Sequence, residues 1–151
     1  MLSWGKCKIW IGKLGDSDTP PSSWTEDPTP VENSTVLTGT KGDKTEAKVE
    51  GGEVEAVKYG KNTYTLTFNI RAAKGREKPV EDKNGTIEGN YAIKLQPEDA
   101  TVEGLDIKKT TLSMLPSFST AEGTIWQYTA DVLLPADGSD AIDFAVIADP
   151  K

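Results

Sequence analysis

Histidine is absent from this chain, and its absence removes a wide range of chemistry. Without an imidazole there is no His general base, no His metal ligand, and no Ser–His or Cys–His nucleophile pair. Cysteine occurs once, at Cys7, so neither an intrachain disulfide nor a thiolate metal cluster can form. Lys6 and Lys8 flank that thiol with the charge that lowers a thiol pKa, although a plain strand position is the simpler reading. Apolar runs long enough for a membrane helix are missing. The opening Met1-Leu2-Ser3-Trp4-Gly5-Lys6 has neither the apolar segment nor the small-residue cleavage site of a signal peptide, so a cytoplasmic site of synthesis is expected. Asn33-Ser34-Thr35 and Asn84-Gly85-Thr86 fit the glycosylation acceptor pattern, which carries meaning only in a secreted chain. Basic residues are outnumbered 17 to 24, giving a net charge of -7. Binding nucleic acid by neutralising phosphates needs the opposite balance.

What is present points to strands. At 151 residues, one domain is the natural expectation, with about two-thirds of the unfolded chain's surface buried. The stretch 45–70 reads as two β segments broken by Gly51-Gly52 and a third opened by Gly60-Lys61-Asn62. In the third, Tyr64, Leu66, Phe68 and Ile70 alternate with Thr63, Thr65, Thr67 and Asn69, the period of a half-buried strand. Before it, Cys7, Ile9 and Ile11 share one face of a first strand with Trp10 on the other, either over a second core or toward a partner. Residues 15–33 read as a loop broken by Pro20, Pro21, Pro28 and Pro30, with Trp24 in its middle. Thr35-Val36-Leu37-Thr38 reads as a short strand and 39–44 as a turn.

Further along, 72–85 is polar and charged, and 86–95 returns to strand with Tyr91, Ile93 and Leu95 alternating. Pro97-Glu98-Asp99-Ala100 has the composition of a helical first turn, and a short α-helix is expected to end near Gly104. Residues 105–115 form an irregular strand that Pro116 should stop. In 123–134 Trp126, Tyr128, Ala130, Val132 and Leu134 share a face, and 135–139 is a turn. Ile142, Phe144, Val146 and Ala148 close the chain as a last strand. About eight or nine short strands with polar turns predict an all-β, antiparallel sandwich or barrel with one short α-helix.

Carboxylates are plentiful but form no recognisable catalytic pair. Glu50, Glu53 and Glu55 flank the double glycine and Asp140 and Asp143 flank the last strand, with no apolar cleft marked to raise a pKa. Asp16-x-Asp18 and Asp137-Gly138-Ser139-Asp140 are oxygen-rich loops, but neither has the spacing of a calcium loop. The glycine pairs lack the following helix of a phosphate loop. No enzymatic activity, cofactor or metal is expected.

Several short pieces together resemble the tail tube (major tail) proteins of long-tailed bacteriophages and prophages. They are Trp4-Gly5-Lys6 with Ile11-Gly12-Lys13, and Leu37 followed by the charged turn and Glu50-Gly51-Gly52-Glu53. Then come Glu88 to Ile93, Gln96-Pro97-Glu98-Asp99, and Gly123 to Tyr128. The resemblance implies a structural virion protein that assembles in the bacterial host cytoplasm into stacked, hexameric rings of a virion tail. Its partners would be further copies of itself and the tape measure, terminator and baseplate proteins. DNA would pass through without specific binding, repelled by an acidic lumen. It suggests Trp10, Trp24, Leu37, Thr40, Lys41, Asp43 and Lys44 as inter-subunit contacts, and Glu50, Glu53 and Glu55 as lumen or ring salt-bridge residues. The alternative is a carbohydrate- or protein-binding β-sandwich module, with Trp10 and Trp24 stacking on the ligand. The first reading predicts multimers, the second a ligand-binding monomer.

Overall fold

The computed structural model describes residues 5–135 and 139–149, and they are almost entirely β. The strands are β1 (Lys8–Lys13), β2 (Thr25–Glu26), β3 (Val36–Thr40), β4 (Lys44–Lys48), β5 (Val54–Tyr59), β6 (Thr63–Arg71), β7 (Thr86–Gln96), β8 (Gly104–Ser119), β9 (Gly123–Val132) and β10 (Ile142–Ala145). Eight of them form one antiparallel sheet in the order β2-β1-β7-β8-β9-β6-β3, with β10 on β8, while β4 and β5 pair only with each other. Among the described residues no helix is long and apolar enough to cross a membrane.

The alternation in β6 sets the core. Leu66, Phe68 and Ile70 are fully buried, and Tyr64 packs against the same cluster. Phe68 lies directly opposite Tyr128 of β9, and their rings stack at 5.5 Å between centroids. Such a pair adds about 0.5–1.5 kcal/mol beyond the area it buries. The Tyr128 hydroxyl donates to the Val80 carbonyl at 2.9 Å, which fixes the 72–85 segment against the sheet. Ile9 and Ile11, near one margin of the sheet, belong to the same buried cluster as β6 near the other. The sheet therefore curls over on itself. Segment 27–34 spans the gap, with the Asp27 N–H on Ile9 O and the Val31 N–H on Asn69 O, both 2.8 Å.

Several expectations change in detail. The short α-helix at 97–104 does not form. Asp99 accepts from the Thr101 N–H and hydroxyl, making a local turn, and β8 begins at Gly104 before a helix could propagate. Among the described residues the helical element is a 3-10 turn at Asp16–Asp18 in the proline-rich loop, which also contributes β2. Pro116 does not stop β8, which runs on to Ser119. Beyond Met114, whose N–H still bonds Gly85 O at 3.1 Å, that strand pairs with β9 alone, and a one-sided strand tolerates a missing N–H. The irregular apolar spacing of β8 reflects a register shift against β7 between the Tyr91↔Thr110 and Ile93↔Ile107 pairs.

The closing strand also differs. Ile142 is buried, but Phe144 and Val146 are exposed and Ile147 is buried instead. β10 ladders only with residues 104–107, after which the Gln96 amide holds Ile147 O at 2.8 Å and turns the chain inward. The turn at 135–139 and the 137–140 loop fall partly on residues 136–138, outside the described residues, as does Trp4.

Candidate functional site

The most exposed piece of regular structure is the β4–β5 ribbon. It is an insertion in the turn of the β3–β6 hairpin, whose own register closes at Thr40↔Thr63. Every residue of β4 and β5 is exposed. Two-stranded ribbons with both faces in water are marginally stable by themselves. Here the base is tied by Gly60 N–H to Asp43 O at 2.8 Å, by Gly42 N–H to Asn62 Oδ1, and by the Lys41 ammonium 5.0 Å from the Tyr59 ring centre. Pairing puts Tyr59 opposite Lys44, Val57 opposite Glu46 and Val54 opposite Lys48, so these pairs share one face. That face carries an apolar row beside a charged row, the latter held by Lys44–Glu46 (2.7 Å) and Lys48–Glu46 (3.8 Å) ion pairs. Val54, Val57 and Tyr59 remain about half exposed, at 49%, 46% and 51%.

At the tip, Gly51 and Gly52 both have left-handed φ, +95° and +89°, which is why two glycines stand there. Glu50, Glu53 and Glu55 gather around them, all exposed and with no ion pair among the described residues. They lie on the projecting ribbon and not on a strand of the main sheet.

The other sequence-derived residues fall in two places. Thr40, Lys41, Asp43 and Lys44 come together at the base of the ribbon, whereas Leu37 packs against the core. Trp10 and Trp24 sit at the opposite margin of the sheet. Trp10 is only 5% exposed, so of its two readings the covering of a second apolar layer is the one observed. The proline-rich loop makes that layer. Pro21 comes so close over Gly12 that any side chain there would collide, and Lys94, opposite Trp10 in the ladder, holds its ammonium 4.9 Å from the Trp24 ring centre. Trp24 also lines a cavity of about 450 Å3 with Leu14, Pro20, Pro21 and Asp106.

Among the described residues the margin at β3 carries no further strand. Val36-Leu37-Thr38-Gly39-Thr40 pairs with β6 on one side only and contains no charge, proline or bulge of the kind that blunts an edge. Further exposed apolar residues extend the β8–β9 ribbon past β7, with Leu115 at 66% and Phe118 at 73%.

Burial pushes the Cys7 thiol up, contrary to the lowering its lysine neighbours would cause, and the thiol faces Thr35 Oγ1 at 3.9 Å. Asp143 pairs with Lys108 at 3.2 Å. Burial raises Asp106, with Lys94 opposing the rise. Asp82 is held low, chiefly by the Gly85 N–H. Among the described residues no group of three or more carboxylates or thiols is placed to hold a metal. Sequence reasoning missed Asp27, which is 7% exposed and has both carboxyl oxygens buried without a hydrogen-bond partner. An acid between Glu26 and Pro28 in a proline-rich loop gives no sequence signal of burial. It also missed the Val54-Val57-Tyr59 row, because the β4–β5 bulge at Ala47/Lys48 shifts Val54 into line with the other two.

No protein-family model matches the chain, and no curated protein matches it.

Proposed function

We propose that this protein is a structural subunit that associates with further copies of itself, as in a tail tube ring. The observation that carries the reading is the β4–β5 ribbon, which projects from an otherwise well-packed body with both faces in solvent. A half-exposed apolar row on an arm that pairs with no strand of the main sheet buries little inside one chain. It gains contacts only against a second surface. The unguarded β3 edge supports the same reading, since an open ladder accepts a further strand by main-chain hydrogen bonds. The arm and the β1–β2 margin lie at opposite ends of the sheet order, so contacts between them would be heterologous, the kind that closes into rings or continues as a stack. Ring number, passage of DNA and the other tail proteins come with the resemblance to tail tube proteins and belong to the same proposal. A ligand-binding module would use the cavity beside Trp24, but Lys94 already occupies one face of that ring.

A charge on the β3 edge separates association from folding. Val36→Lys places an ammonium at a 47% exposed position outside the core. Its unfolding midpoint should move by no more than about 0.5 kcal/mol, the usual range for a surface change. Its mass by light scattering should fall toward the monomer while the unaltered chain associates. Equal association of the two chains would remove the β3 edge from the account.

A further inference from the structure

The open strand edges of this fold differ in how they are guarded. β2 has only two residues, the part of β8 beyond β7 carries Pro116, and β10 carries Asp143. β4 and β5 both carry lysine and glutamate. Among the described residues β3, at five residues, is the open edge with neither charge nor proline. Its outward hydrogen-bonding groups follow from β6. Asn69 turns its N–H to Ser34 Oγ and its C=O to the Val31 N–H, both on the β3 side. Main-chain groups alternate in direction along an antiparallel strand. Thr67, Thr65 and Thr63 therefore bond their register partners Val36, Thr38 and Thr40, and Leu37 and Gly39 turn their N–H and C=O outward.

An occupant must bring an unguarded strand of its own, and a second β3 does so in matching register. Antiparallel pairing about Thr38 sets Leu37 opposite Gly39 of the other copy, with two main-chain hydrogen bonds at each of the two such pairs. On the core side Gly39 offers no side chain, and the Tyr64 ring lies 3.1 Å from where a Cβ would stand, so the incoming Leu37 meets an apolar ring. On the outer side Val36 meets Thr40 and Thr38 meets its own counterpart, β-branched pairs without charge. The same pairing of β4 would set Glu46 against Glu46 and Lys44 against Lys48. We propose that β3 of one copy pairs antiparallel with β3 of a second about a two-fold axis at Thr38, joining their sheets edge to edge. This inference rests on the self-association reading and names one of its contacts. A five-residue ladder falls well below the roughly 800 Å2 per partner of a stable interface, so it acts together with the ribbon contact and not in its place. Added to heterologous contacts, a two-fold contact pairs rings that face opposite ways.

Cysteine pairing in full-length chains tests the register. Cys7→Ser first removes the single native thiol. Thr38→Cys then puts two thiols at the axis, in a non-hydrogen-bonded pair with Cα atoms about 4.5 Å apart, within disulfide reach. Under mild oxidation, at a concentration where the wild type associates, this chain should run mainly as a disulfide dimer on non-reducing gels. Val36→Cys alone should not, because its two copies are offset by four residues, about 14 Å along the ladder. Val36→Cys mixed with Thr40→Cys should give the mixed dimer. Near-UV circular dichroism checks folding, and a second pair of variants keeps Cys7 in place. Thr38→Lys and Thr38→Glu each set like charges opposite one another, and by sedimentation velocity each should need at least about tenfold more protein to associate, about 1.4 kcal/mol. An equal mixture of the two should restore association. Cross-linking of Val36→Cys as readily as Thr38→Cys would overturn the proposed register. Failure of the lysine and glutamate variants to differ from a wild type that associates would overturn the β3 pairing and leave self-association standing. A wild type that stays monomeric would end both readings.

Discussion

Asp27→Asn is expected to stabilise the isolated chain at neutral pH by on the order of 1 kcal/mol, because an amide removes the cost of holding a buried carboxyl above its unfolded-state pKa. Wild type carries a carboxyl that is 7% exposed, with neither oxygen bonded, and asparagine fills nearly the same volume without a charge to desolvate. The sign follows from linkage. Burial raises the folded-state pKa above that of the unfolded chain, so over the interval between them the folded state holds the extra proton. This group's stabilising effect is complete below the unfolded carboxylate pKa of about 3.9. It is lost as pH rises through the raised folded value. Asp82 and Asp99 behave the other way. Hydrogen bonds from the Gly85 N–H and from Thr101 hold them low, and their contribution is lost as pH falls. Urea unfolding of both chains from acid to neutral pH, at concentrations below association, isolates the Asp27 part as the difference between two curves. That difference should grow with pH. Parallel curves would mean that Asp27 finds a partner in solution.

Removing the ribbon has the larger functional effect. Residues 44–59 are inserted between Asp43 and Gly60, whose backbone atoms already meet at 2.8 Å. Two glycines in place of the ribbon would leave β3 and β6 joined by a short loop in unchanged register. No residue of β4 or β5 belongs to the buried cluster. The shortened chain should therefore fold, keep its thermal midpoint within a few degrees of wild type, on the order of 1 kcal/mol or less, and lose association altogether. An unfolded product would show that the ribbon supports the body. Association at wild-type strength would show that it is dispensable.

The parts of this fold that follow local rules were legible beforehand. β6 was readable because four apolar residues alternate with four polar ones, and the ribbon tip because paired glycines mark a turn with left-handed backbone. The misread elements depend on neighbours far away in sequence. Pro116 is harmless only because β7 has already left β8, and Trp10 is buried only because the proline-rich loop returns across Gly12. The absence of a helix at 97–104 turns on Asp99 binding Thr101 locally, a competition that composition does not resolve. Of the candidate site, the acidic tip and the ribbon base were visible as charge and turn residues. Asp27 was not, since burial of a loop acid is a tertiary event. The apolar row depended on a bulge that shifts alternate positions into line.

Self-association is the central claim, and the assembly state of the purified full-length chain tests it most directly. Light scattering across concentration, with negative-stain microscopy of the same samples, should show mass rising with concentration and closed rings or short tubes with a central opening. A strict monomer up to the highest soluble concentration would contradict the account, and a ligand screen against the cavity beside Trp24 would then become the next experiment.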